Sequence, residues 1–180
     1  MKKLIAILMT VALLCSLSVS AMAATTTEMA ELVWEDFAET AEAVDADAGF
    51  YQIADWDLYM WIPSIFAEQE LTEEDIEYGY ISYLTPEDES AAVAIIVDDD
   101  QGMSLEEWEQ ALNDAGYETE IGAINGIKAL VYEDPEADTL HVLYILLDSD
   151  QTMEFIFWPM SDEGFAGVAS IMIASLQSEE

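Results

Sequence analysis

Apolar and polar positions along this chain repeat with two periods, one near 3.6 residues and one of two, and the switches between them mark its elements. Met29, Leu32, Val33, Phe37, Ala41 and Val44 recur at helical spacing, which predicts an amphipathic helix over 27–44, ended by the polar stretch 45–49. Residues 49–54 and 57–62 form a strand pair rich in aromatics, stopped by Pro63. A short capped helical turn over 71–75 precedes strands 78–85 and 91–97, which the turn 86–90 joins. Ser104 opens a second helix to Ala115, with Leu105, Trp108 and Leu112 on one stripe and Gly116 where a helix-ending residue belongs.

Beyond Gly116 the pattern turns to strands. Residues 117–124 and 127–133 flank Asn125-Gly126, the dipeptide favoured in a type I′ hairpin turn. The link 134–138 leads to a strand over 139–147, and the link 148–151 to one over 152–158. Nearly every residue from Leu140 to Leu147 is apolar, which predicts a central strand covered on both faces. Ser161 opens a last helix with Phe165, Val168, Ala169, Met172 and Leu176 facing inward. The order is helix, four strands, helix, four strands, helix. An α+β domain follows, in which helices flank a mainly antiparallel sheet.

The amino end changes what belongs to that domain. Met1-Lys2-Lys3, the apolar run 4–19 and Ala21-Met22-Ala23 have the order of a secretory signal cleaved after Ala23, and the run is short for a membrane span. Cys15 is preceded by Leu14, where a lipoprotein signal needs a small residue. Residues 24–180 are then a single secreted domain without cysteine, held together by its core and not by disulfides.

Charge narrows the partners. All 39 Asp and Glu residues lie after Ala23, where Lys128 is the sole Lys or Arg, so the exported part carries a formal charge of 1 − 39 = −38. Nucleic acid and anionic membranes are held through Lys and Arg and are excluded. A cation, or a basic peptide or protein, remains as partner, and self-repulsion favours a monomer. The periodic Trp, Tyr, Phe, Ile and Leu rule out a disordered acidic tail.

The segment Val97 to Glu109, VDDDQGMSLEEWE, invites a calcium reading that its register denies. An EF-hand loop needs oxygens at positions 1, 3 and 5, Gly at 6 and Glu at 12; with Gly102 at 6, Val97 falls at 1 and Trp108 at 12. Starting at Asp98 places Glu109 at 12 but Met103 at 6. A capping box fits instead, Ser104 with Glu107. Loose binding of a hard cation by Asp98, Asp99 and Asp100 stays open.

No catalytic or cofactor-binding residue is assigned. His141 is the only histidine and shares a strand face with Leu143 and Ile145, a core or edge position; there is no Gly-x-Ser-x-Gly elbow and no phosphate-cradling glycine loop. A carboxylate-dependent hydrolase is the alternative from another class, because so many acids contain every spacing. Phe50, Tyr51, Trp56, Tyr59 and Trp61 are core candidates first and a stacking platform second, with Tyr59 and Trp61 on one side of their strand.

Three short motifs give a resemblance. Trp61-Ile62-Pro63 after an early strand, Asn125-Gly126-Ile127 opening a hairpin strand, and Ile171 to Gln177, IMIASLQ, in the closing helix resemble the PsbP-like superfamily, which includes extrinsic photosystem subunits and a Ran-binding nuclear-transport factor. The resemblance covers most of the exported part and implies an α/β/α sandwich serving as a noncatalytic binding or assembly module. The acidity and the first helix depart from those relatives, and no functional residue is carried over.

Overall fold

The computed structural model describes residues 31–54, 56–99, 102–146 and 151–178. Its strands are β1 (Glu31–Leu32), β2 (Gly49–Gln52), β3 (Leu58–Ile62), β4 (Phe66–Glu68), β5 (Tyr80–Pro86), β6 (Ala92–Asp99), β7 (Thr119–Ile124), β8 (Ile127–Asp134), β9 (Thr139–Leu146), β10 (Gln151–Trp158) and β11 (Gln177–Ser178). Its helices are α1 (Ala38–Val44), α2 (Glu73–Glu77), α3 (Leu105–Ala115) and α4 (Glu163–Ala174). The signal segment, Asp100 and the link 148–150 lie outside the described residues.

One eight-stranded sheet runs β1-β7-β8-β9-β10-β6-β5-β4, antiparallel throughout except that β1 lies parallel to β7. A second sheet, β11-β3-β2, is antiparallel. The fold is α+β, as the pattern predicts, and hairpins explain why: each strand from β7 to β9 pairs with the next in sequence.

Strand periodicity sorts the large sheet into two faces. Met153, Phe155 and Phe157 of β10, Val93 and Ile95 of β6, and Leu140, Val142 and Tyr144 of β9 point into the main core, where α4, the small sheet and Phe37 and Ala41 cover them. Each such side chain contributes about 1.5–3 kcal/mol on burial. The opposite face receives α3, whose Leu105, Trp108 and Leu112 pack on Ile121, Leu130 and Leu143. Strand β9 is thus covered on both faces.

The helix expected over 27–44 is a correction. Leu32 pairs in parallel with Ile124, the Asn125 N–H donates to the Leu32 carbonyl at 2.8 Å, and the Trp34 N–H donates to Asn125 Oδ1 at 2.7 Å. These bonds to β7 and its turn take the backbone groups that a helix would have used, so only a 3-10 turn at Trp34–Asp36 and then α1 form. Strands β4 and β11 were not expected either; at 3 and 2 residues they carry no period of their own and exist through their partners. The last helix is capped by Asp162, whose side chain accepts from the Phe165 N–H, while Ser161 bonds Asp138 across the fold.

Two helix starts follow their sequence signals. Ser104 and Glu107 form a complete capping box and Gly116 ends α3 at φ 100°. Thr72 and Asp75 do the same for α2. Gly79 is required by space as well as by its φ of +89°, because a Cβ there would lie 2.6 Å from the Val97 carbonyl oxygen.

Candidate functional site

Strand register assembles two parallel rows on the outer face, the one that bears α3. The first runs Tyr132, His141, Ile156, Ala94 and Tyr83 across β8, β9, β10, β6 and β5. Its neighbour runs Leu130, Leu143, Glu154, Ile96 and Tyr80. The apolar cluster beneath α3 takes Leu130 and Leu143 and ends there. The rest of both rows is half-buried apart from the small Ala94, and Trp158, on the same face of β10, is 41% exposed.

A hydrogen-bonded chain crosses the border between the covered and open halves. Tyr132 Oη donates to Glu154 Oε1 at 2.6 Å, and His141 Nδ1 lies 2.9 Å from the same oxygen. A carboxylate accepts, so Nδ1 carries the proton; in the neutral ring Nε2 then accepts from the Thr139 hydroxyl at 2.8 Å. Every bond thus points toward Glu154, and such chains polarise one another. Tyr132 and His141 stack at 4.4 Å and 14°, and Tyr117 meets Tyr132 edge-on at 5.5 Å. Burial, then the Glu154 carboxylate, pushes the Tyr132 phenol well above its ordinary range.

Acids border the open half at its other side. Burial and then the charge of Glu89 raise the Tyr83 phenol, and Asp134 adds to the raising of Tyr132. Asp98 stands on this face opposite Thr152. The only described Lys, Lys128, pairs with Glu106 of α3.

The order hydroxyl, imidazole, carboxylate at Thr139, His141 and Glu154 is that of an activated nucleophile. Acyl transfer also needs donors aimed at a developing oxyanion. Here the cross-strand neighbour of Thr139 is Asp134, whose carboxylate would repel one. Burial raises the carboxyl of Glu120, which faces Val131 across the strands.

The residues singled out by sequence part company. Asp98 and Asp99 are successive strand residues and project to opposite faces, with Asp98 Oδ1 accepting from the Asp99 N–H at 2.7 Å. Asp100 lies outside the described residues, and among those described no group of three or more His, Cys, Asp or Glu is placed to hold a metal ion. Trp61 is 5% exposed and belongs to the core, Trp56 packs against it, and Phe50 meets Trp34 edge-on at 5.4 Å. Tyr51 ties β2 to the large sheet through Glu68 at 2.6 Å and Ser82 at 3.3 Å. These aromatics therefore build no shared platform. Tyr83, Tyr132 and Glu154 were not singled out; they alternate with core residues in ordinary strand fashion, and only the pairing brings them together.

No family model matches this chain, and no curated protein matches it. Its fold is similar to the solution structure of cyanobacterial PsbP (CyanoP) from Synechocystis sp. PCC 6803, at a TM-score of 0.47 and 13% identity, over 73% of this chain and 92% of that one. Among the described residues no helix is long and apolar enough to cross a membrane.

Proposed function

We propose that this chain is an exported, noncatalytic interaction domain that docks a basic segment of another protein on the open half of the outer sheet face. One observation carries the reading. The row from Tyr83 through Ile156 to Tyr132 is left beside the α3 cluster and not beneath it, with Glu89, Asp98, Glu154 and Asp134 on or beside it. Aromatic rings and carboxylates together suit Lys and Arg side chains, through cation–π contact and charge-assisted hydrogen bonds. A second copy of the exported domain is disfavoured on this face because 39 acids against the single Lys128 would meet their like.

The test separates net charge from aromatic anchoring. A 12-residue peptide alternating Arg or Lys with Val, followed by fluorescence anisotropy, should bind the mature protein, and its Glu-for-Arg/Lys counterpart should not. Tyr83→Ala with Trp158→Ala should weaken binding about tenfold, the loss of roughly 1.4 kcal/mol expected when aromatic anchors are truncated. Unchanged affinity in that double variant would mean that the peptide responds only to net charge. The export half of the reading is checked by intact mass, which should start at Ala24; a lipidated Cys15 would overturn it.

A further inference from the structure

Resting on that docking reading, we infer that Glu154 makes the open face selective for arginine over lysine in the docked segment. Glu154 sits between Leu143 of β9 and Ile96 of β6, with its side chain 20% exposed. Tyr132 and His141 both bond Oε1, which fixes the plane of the carboxylate before any partner arrives. Both donors belong to rings whose own geometry is fixed by stacking at 4.4 Å. Among the described residues no Lys reaches this carboxylate, since Lys128 is engaged with Glu106.

A half-buried carboxylate whose Oε1 takes both of these bonds still offers Oε2 to a cationic side chain. The side chain that completes it must lose water over the apolar floor of Ile96 and Ile156. Guanidinium is the more weakly hydrated cation, and its planar fork can bond a fixed carboxylate plane, whereas a strongly hydrated ammonium gives up more and meets it as a point charge. The acids around the rim, such as Asp98, are exposed and attract either cation alike. Selection therefore falls to Glu154.

Two peptides identical except for all-Arg or all-Lys basic positions separate this from the docking itself. The wild-type protein should prefer the Arg peptide by about tenfold, because the more weakly hydrated guanidinium loses less on reaching the half-buried carboxylate. Glu154→Gln should erase the preference and leave the Lys peptide bound, while Asp98→Asn, which removes the same charge, should weaken both peptides equally and keep the preference. Tyr132→Phe, which frees the carboxylate plane without touching its charge, should narrow the preference and serves if Glu154→Gln unfolds. Equal affinity of the wild type for the two peptides overturns the role of Glu154 and leaves the docking face standing. A preference that survives both Glu154→Gln and Tyr132→Phe does the same, and failure of both peptides to bind removes both readings.

Discussion

The side-chain amide of Asn125 donates to the Leu176 carbonyl at 2.7 Å, and to that of Ala174 at 2.8 Å, across 51 and 49 residues of sequence. Its Oδ1 accepts from the Trp34 N–H at 2.7 Å. One turn residue thus joins the β7–β8 hairpin, the end of α4 and the amino-terminal strand, and it does so at φ 47°, with Gly126 at 79°.

Asn125→Gly keeps the permitted backbone and removes all three bonds, so it should lower stability by about 2–3 kcal/mol, the cost of leaving part-buried polar groups unsatisfied. Asn125→Asp should be at least as costly, because a carboxylate oxygen would then face two carbonyls. Urea denaturation measures both, and a loss under about 0.5 kcal/mol for the Gly variant would show that water replaces the amide.

Tyr144 is 4% exposed, and its hydroxyl has no hydrogen-bond partner among the described residues. Its ring meets Phe155 edge-on at 5.8 Å, which accounts for an aromatic here but not for the oxygen. Tyr144→Phe should therefore be neutral or stabilising by up to about 1 kcal/mol, since it removes a desolvated group without orphaning another. A clear drop in melting temperature would reveal a partner for that oxygen.

Ser104→Ala removes a capping box and should cost about 1 kcal/mol of stability. Calcium should shift the melting temperature no differently in this variant than in the wild type. Tight calcium binding that vanishes in Asp98→Asn plus Asp100→Asn would contradict the strand geometry of Asp98 and Asp99.

Salt and pH test the unbalanced charge. Screening shortens the reach of each charge from about 30 Å at 0.01 M to about 10 Å at 0.1 M salt, so the melting temperature should rise over that interval. Burial holds Glu120 above its ordinary value of 4.5, so the folded state takes up its proton first and gains stability as pH falls through that folded value. Asp45, Asp75 and Asp88 are held below their ordinary 3.8 by Ser64, Thr72 and Ser90, and Glu106 below its ordinary 4.5 by Lys128. Their contributions are complete above those ordinary values and are lost as pH falls through the lower folded ones. The melting temperature should accordingly hold or rise from pH 7 to about 5 and fall below about pH 4. Calorimetry at two salt concentrations decides it, and a decline already present between pH 7 and 5 would mean that specifically paired carboxylates outweigh repulsion.

Local signals were enough for much of this protein. The period of two, the Asn125-Gly126 turn and the Ser104/Glu107 cap place α3 and strands β5 to β10 within a few residues, because each depends on neighbours in sequence. Charge alone carries the expectation that a partner is a cation or a basic segment, since Lys and Arg cannot be supplied by folding. Tertiary structure decided the rest. Residues 31–36 leave the helical pattern because Ile124 and Asn125 offer their backbone better bonds than a helix turn would. Burial of Trp61 and exposure of Trp158 both belong to aromatics at strand positions, and only the placement of the second sheet and α3 tells them apart. The candidate face is the clearest case. Tyr83, Glu154 and Tyr132 are 71, 22 and 49 residues apart when taken in pairs, and alternation puts each on a face without saying whose neighbour it is. Register across five strands makes them one surface, and register is a property of pairing energy summed over the sheet, not of any one strand.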